Sequence, residues 1–278
     1  MPRAKANGIE LEYDTFGDPS GAPLLLIAGL GMQMVGWDEE FCELLAGRGF
    51  HVIRFDNRDA GLSTWPDATY TLEDMARDAV GLLDALGVQH AHVVGASMGG
   101  FIAQVVALEH PERVLTLTSM ISGPNGEDQV QPTPEAMALL FSPRPPTREE
   151  QVLLGLRSKK ALLGPDDPFD ETYERTRIER AIDRAYNPPG FLRQFQAIAA
   201  APGRLERLRS LRVPALVVHG DADILVPVEN GRNVAAVIPG ARLVEIEGMG
   251  HDVPRRVWER VADEIAALAR QSAGTWRA

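Results

Sequence analysis

The chain has 278 residues, of which 45% are apolar and 24% charged, and its formal net charge is −11. That length suits one large α/β domain, or a core domain with an insert, and the composition is ordinary for a globular protein. The acidic balance disfavours nucleic acid and anionic membrane as partners, since both need a basic face.

The start, Met1-Pro2-Arg3-Ala4-Lys5-Ala6, is polar, has no signal-peptide core and leads directly into a strand. With no apolar run of about 18 residues to span a membrane, cytoplasmic residence is expected. Gly8 to Phe16 alternates apolar and polar residues, the pattern of a half-buried antiparallel strand. Leu24 to Ile27 is continuously apolar, so it reads as a strand buried on both faces, and it runs into the slender loop Ala28-Gly29-Leu30-Gly31. A helix is expected from about Gly36 to Gly47. It contains the single cysteine, Cys42, which reads as a small core residue and cannot form an internal disulfide.

A strand over His51–Phe55 ends in Asp56-Asn57-Arg58-Asp59-Ala60-Gly61-Leu62-Ser63. Thr71 and Asp74 form a capping-box pair ahead of Leu72, Met75, Ala76, Ala79, Leu83 and Leu86, which recur at helical spacing up to Gly87. His92 to Ala96 is a strand, Phe101 to Leu108 a helix stopped near Pro111, and Val114 to Ile121 another strand. Strands alternating with helices imply a parallel sheet covered on both faces.

The rhythm breaks over residues 123–212, which hold eleven prolines and amphipathic helical pieces such as Arg148–Arg157 and Glu171–Tyr186, with no convincing strand. This reads as an inserted helical cap, leaving residues 1–122 and 213–278 as the core. The rhythm resumes with a strand over Ala215–Gly220, a helix over Val228–Val237, a strand over Arg242–Ile246 and a last helix from about Arg256 to Arg270.

One stretch carries chemistry. Gly95-Ala96-Ser97-Met98-Gly99, between a β-branched strand and an apolar helix, has the layout of a nucleophile elbow. A Gly-rich loop cradling phosphate is the alternative, but the Walker lysine and the Gly-x-Gly-x-x-Gly spacing are both missing. A serine hydroxyl attacks only when a base removes its proton, and histidine is the usual base. His51, His90, His92 and His110 fall at strand beginnings or a helix end. His219 closes a strand at the correct edge, beside Gly220. His251 follows the last strand in the loop Gly248-Met249-Gly250-His251, which can present its ring, and it is the expected base.

The acid that orients the imidazole is expected at Asp223 rather than Asp221, because Asp223 stands further into the loop before Ile224-Leu225-Val226-Pro227. Asp221 would brace that loop. An oxyanion needs preorganised donors. The backbone N–H of Met98 is one, and that of Leu30 is expected as the other, with Gly29 and Gly31 as competitors. Met32, Met34 and Trp37 are candidates to line a pocket, as are the cap residues Met137, Phe141, Phe169, Tyr173, Phe191 and Phe195; packing is the alternative for all of them. Met32, Trp37 and Phe141 are taken as the substrate-binding set. The one close histidine pair, His90-x-His92, has no acid cluster beside it, so no metal is expected.

Taken together these motifs resemble the α/β-hydrolase superfamily over essentially the whole chain. Within it the Asp56–Ser63 stretch and the Gly-Met-Gly-His loop are similar to the aclacinomycin methylesterase group, in its serine esterase branch. The resemblance implies a mostly parallel eight-stranded sheet flanked by helices, with a helical cap inserted between the sixth and seventh core strands. It also implies hydrolysis of a small to medium apolar carboxylic ester by water through an acyl-enzyme, without a cofactor. Where many members have His-Gly, this chain has Ala28-Gly29. Lactone hydrolysis, carbon–carbon bond hydrolysis and perhydrolysis use the same scaffold, and a non-catalytic small-molecule receptor is the remote alternative. No motif sets the oligomeric state.

Overall fold

The computed structural model describes residues 1–272. Its strands are β1 (Arg3–Ala6), β2 (Ile9–Phe16), β3 (Ala22–Ile27), β4 (Phe50–Phe55), β5 (Ala91–Ala96), β6 (Val114–Met120), β7 (Ala215–Gly220) and β8 (Arg242–Ile246). They form one eight-stranded sheet in the order β1-β2-β4-β3-β5-β6-β7-β8. The β1–β2 and β2–β4 pairs are antiparallel and the rest parallel. β1 lies in the segment expected to lead directly into the first strand. At only four residues, and pairing one alternating strand at the sheet's edge, it carries too little apolar pattern to be read from sequence.

The continuously apolar runs are explained by burial on both faces. Leu25, Ile27, Ile53, Val93 and Leu117 point to one side, against α2 (Leu72–Ala85) and α3 (Met98–Glu109). Leu24, Leu26, Val52, Val94 and Leu216 point to the other, against α1 (Glu39–Ala46) and α10 (Trp258–Ser272). Each strand thus feeds two cores through its two-residue period. α2 begins with the expected reciprocal pair, Thr71 and Asp74 each bonding the other's backbone N–H. α1 starts later than Gly36, because residues Met34–Gly36 form a separate 3-10 turn. No helix among the described residues is long and apolar enough to cross a membrane.

Between β6 and β7 the chain forms α4 (Pro134–Leu140), α5 (Arg148–Leu162), α6 (Glu171–Arg184), α7 (Pro188–Ala200) and α8 (Leu205–Leu208), with no strand. The Pro188-Pro189 pair opens a helix rather than breaking one: it occupies the first turn of α7, where the missing N–H has no partner to lose. The end of the insert belongs by packing to the core, since Ala197, Ala201, Leu208 and Leu211 are all buried in the α2–α3 cluster. α9 (Val228–Val237) then follows β7.

β3 sits between β4 and β5, so the connections leaving it diverge to opposite faces, and the carboxyl ends of β3 and β5 border a crevice. α3 crosses this point at minimal distance. A Cβ on Gly95 would strike the Gly99 carbonyl, and one on Gly99 would strike the Ile27 carbonyl at the end of β3. These are backbone-to-backbone approaches that no rotamer can relieve. Gly99→Ala should therefore lower stability by about 1–3 kcal/mol or more, read as a fall in the urea midpoint at unchanged m-value; an unaltered midpoint would remove this crossing as a constraint.

His92 on β5 is also part of the frame. Its ring is buried, with Nδ1 2.9 Å from Thr116 Oγ1 and an edge-on contact to Phe50 at 5.5 Å. Burial pushes its pKa down to about 4 from an ordinary 6.5. Between those values the unfolded chain binds the extra proton and the folded one does not, so stability falls as pH drops through this window. The contribution is up to about 3 kcal/mol. Between pH 7 and pH 4.5 the urea midpoint of the wild type should fall further than that of His92→Asn. Equal falls would assign the acid sensitivity elsewhere.

Candidate active site

Ser97 stands between β5 and α3 with φ 55° and ψ −120°, a left-handed conformation for a residue with a side chain. Such a conformation costs on the order of 1–3 kcal/mol and persists only where the surroundings enforce it. Here the Gly95–Gly99 contact closes the turn from inside. From outside, Ser97 N–H donates to the Met120 carbonyl at 2.9 Å and Ser122 Oγ–H donates to the Ser97 carbonyl at 2.8 Å. The hydroxyl is thereby presented at the carboxyl edge of the sheet.

Two loops from the far end of the chain reach it. His251 Nε2 lies 2.9 Å from Ser97 Oγ, and His251 Nδ1 lies 2.7 Å from Asp223 Oδ2. Asp223 Oδ1 accepts from the N–H groups of Leu225 and Val226 at 2.9 and 2.8 Å. Burial opposes its ionisation, but His251, the hydrogen bond from His219 and the Val226 N–H outweigh it. They hold the carboxyl well below the usual carboxylate range. Asp223 is thus an ionised, fully engaged acceptor whose free geometry is removed by its own loop.

The other candidates fall away from the reacting atoms. His219 is fully buried, with Nε2 2.7 Å from the Val226 carbonyl and 3.4 Å from Asp223 Oδ2. A carbonyl only accepts, so Nε2 carries the proton, and His219 seats the acid rather than contacting serine. Asp221 Oδ1 accepts from Gly248 N–H at 2.8 Å, tying the β7 loop to the β8 loop that carries His251. Asn57 Nδ2–H donates to the Ala28 carbonyl at 3.0 Å, and Asp56 Oδ1 accepts from Met34 N–H at 2.7 Å. These two residues hold up both ends of the loop after β3. Arg58 spends its guanidinium on Asp78, at 2.6 and 2.7 Å.

That loop faces the serine. An added Cβ on Gly29 would sit in van der Waals contact with Ser97 Cβ at 3.4 Å, so the loop passes directly beside the serine. Gly31 N–H is already committed to Gln194 Oε1 at 2.8 Å, which removes Gly31 from competition as an oxyanion donor. Leu30 N–H and Met98 N–H have no partner among the described residues. Met98 is the first residue of α3, where backbone N–H groups lack intrahelical acceptors and the helix dipole is positive.

The insert closes over this edge and leaves a cavity of about 660 Å³, which reaches Ser97 and His251. Met32, Trp37, Phe41, Phe101, Met137, Phe195 and Trp258 are among its walls. Phe141 is not: its ring meets Phe195 edge-on at 4.7 Å and is 42% exposed, so it backs a wall residue from the solvent side. In the short α4 the inward positions are Met137 and Leu140, and Phe141 is the residue that caps the helix just after them. Met34 is buried outside the cavity. A second cavity of about 410 Å³ lies across Leu30 and Met32 and includes Phe191 in its lining.

The insert also holds the site. The Leu162 carbonyl at the end of α5 accepts from His251 N–H at 2.7 Å, and Lys159 Nζ pairs with Asp252 at 2.6 Å. Burial works against the Asp252 charge, yet Lys159 and Arg177 keep its carboxyl below the ordinary range. Gln33 Nε2–H donates to the Ala181 and Ala185 carbonyls of α6 at 2.6 and 2.8 Å. None of Lys159, Gln33, Asp252 and Gln194 was legible beforehand. Each is an ordinary surface residue type whose partner is over 90 positions away.

The model of the alpha/beta hydrolase fold family matches residues 22–254. Rhodomycin D methylesterase DauP of Streptomyces sp. (strain C5) is 36% identical, covering 94% of this chain and 95% of its own length. Rhodomycin D methylesterase DnrP of Streptomyces peucetius is 35% identical over the same shares. Among solved structures, the enol-lactonase from Burkholderia xenovorans LB400 superposes with a TM-score of 0.77 at 25% identity, covering 98% of this chain and all of that one. With a matching family model over most of its length and the elbow, sheet order and insert described above, the chain belongs to the α/β-hydrolase family.

Proposed function

We propose that this enzyme, a carboxylic-ester hydrolase, cleaves its ester through an acyl-enzyme on Ser97, with His251 as base and Asp223 as its orienting acid. The observation that carries this reading is the continuous relay of 2.9 and 2.7 Å from Ser97 Oγ through His251 to Asp223, with two unpartnered N–H groups beside the serine. As Oγ attacks the ester carbonyl, its proton moves to His251 Nε2. The carbonyl π electrons move onto oxygen, which is received by the Leu30 and Met98 N–H groups. Asp223 stabilises the imidazolium through Nδ1–H without taking its proton. Collapse breaks the C–O bond of the alcohol, which leaves with the proton from Nε2. Water repeats the sequence on the acyl-enzyme and releases the acid. No step needs a cofactor.

Residues 123–212 act as the cap and residues 1–122 and 213–278 as the hydrolase core in this reading. Met32 and Trp37 serve as substrate-contacting walls. The cavity volume of about 660 Å³ is in the range that holds a drug-sized ligand, and its walls are mainly apolar. A methyl ester on a bulky, multi-ring apolar acid fits that space, and the similarity to two methylesterases supports the same class. A second reading, hydrolysis of a lactone, is favoured by the likeness to an enol-lactonase; there the leaving alcohol stays tethered to the acyl group. The single buried thiol, Cys42, suits a cytoplasmic location.

Ser97→Ala should cut turnover of p-nitrophenyl and methyl esters by on the order of 10³-fold or more with the fold intact, and Asp223→Asn by on the order of 10⁴-fold because the imidazole loses its proper tautomer. Undiminished hydrolysis by Ser97→Ala would sink the acyl-enzyme assignment. In a panel matched for leaving group, kcat/KM should rise from methyl acetate to methyl esters of multi-ring acids. A flat series, or γ- and δ-lactones outrunning every open ester, would move the assignment to the second reading.

A further inference from the structure

Gln194 has no exposed surface, and both ends of its amide are used. Oε1 accepts from Gly31 N–H at 2.8 Å, and Nε2–H donates to the Arg58 carbonyl at 2.7 Å. An N–H can only donate and a carbonyl can only accept, so the amide has a single orientation that satisfies both. The bond to Gly31 falls one residue after Leu30, the donor that the proposed reaction needs.

We propose that Gln194 is a positioning residue for the oxyanion loop, through which the insert sets the direction of the Leu30 N–H. The proposal rests on the ester-hydrolysis reading above. The loop is a four-residue turn, closed by Met32 N–H donating to the Gly29 carbonyl at 3.1 Å, and Gly31 sits at φ +67°, where only glycine is comfortable. Its central peptide unit, between Leu30 and Gly31, takes no part in that bond, and turning it would shift the backbone of Leu30 and the direction of its N–H. The bond to Gln194 holds this unit by fixing the Gly31 N–H.

The holder is itself fixed. Arg193, the preceding residue on α7, makes two bonds to Asp59 at 2.8 and 2.6 Å, and Asn187 at the start of the helix donates to the Asp59 carbonyl at 3.1 Å. Phe191 closes the other side: an added Cβ on Gly31 would lie 2.8 Å from its ring. So α7 is pinned to the Asp56–Ser63 loop, and Gln194 bridges that loop to the one carrying Leu30. Losing its acceptor would leave Gly31 N–H without its partner and the central peptide unit of the turn free to reorient.

Gln194→Leu keeps the volume and removes both bonds, whereas a protonated glutamic acid at the same place keeps a donor and an acceptor. For Gln194→Leu, kcat on a methyl ester should fall by about 10- to 100-fold with KM within about threefold, since oxyanion donors act on the transition state. Affinity for a trifluoromethyl ketone, which forms a tetrahedral oxyanion adduct with serine, should fall in step with kcat. Affinity for the corresponding ether, which forms none, should hold. Gln194→Glu should approach wild-type kcat at the acid end of the range, where the protonated acid keeps both bonds, and lose part of it as ionisation removes the donor, sets the carboxylate against the Arg58 carbonyl and turns it from its place beside Gly31, an inflection that the wild type lacks.

Unchanged kcat in Gln194→Leu, or ketone and ether affinities falling together, would overturn the proposal. If the leucine variant does not fold, the glutamate profile decides alone, and a profile parallel to wild type overturns it. Wild-type hydrolysis that survives Ser97→Ala would instead overturn the reading on which it rests.

Discussion

The catalytic edge depends on one steric fact: at the crossing of β3, β5 and α3 there is room for backbone and nothing else. Gly95 and Gly99 meet each other, and Gly99 meets the carbonyl of Ile27. Because the crossing is that tight, Ser97 is bent into a left-handed conformation and its hydroxyl projects above the sheet. The same closeness brings the loop after β3 against the serine, so a single contact places both the proposed nucleophile and the proposed oxyanion loop. Parallel register then delivers the remaining groups, since β7 and β8 end at the same edge as β5 and release Asp223 and His251 there.

Around that crossing the polar groups are arranged so that each reacting side chain has one job. Asp223 is saturated by its own loop's N–H groups on one oxygen and by His251 on the other. His219, which occupies a similar strand end, is turned to the Val226 carbonyl and steadies the acid. The Asp56–Ser63 stretch, polar enough to look like a site, spends its side chains on backbone groups, on Asp78 and on Arg193 of α7. It works as a bracket between the oxyanion loop and α7. The insert therefore does more than roof the cavity. It grips the His251 loop through the Leu162 carbonyl and the Lys159–Asp252 pair, and the oxyanion loop through Gln33 and Gln194.

Much of this was legible in the chain because it is carried by local patterns. Continuous apolar runs marked strands buried on both faces, and Thr71 with Asp74 marked the start of α2. Ser97, Asp223 and His251 could be picked because each follows a strand at the carboxyl end. β1 escaped because four residues hold too little period. α7 was obscured because Pro188-Pro189 signals both a break and a helix start. Phe141 is displaced from the wall by a single position: Leu140 lines the cavity and Phe141 caps the helix, and in a helix as short as α4 the pattern does not define which residue faces in.

What the sequence determined by itself is the α/β rhythm, the elbow and the three side chains, Ser97, Asp223 and His251, to which the proposed reaction assigns its steps. Each of these depends on residue types within a few positions of one another, such as the glycines two residues to either side of Ser97. Only the tertiary structure decided which N–H of the Ala28–Gly31 loop stays free, which cap residues form walls, and what holds the two loops in place. Those outcomes rest on contacts between segments more than 90 residues apart, such as Gln194 with Gly31 and Lys159 with Asp252. A buried glutamine and an exposed one are the same letter, and only packing tells them apart.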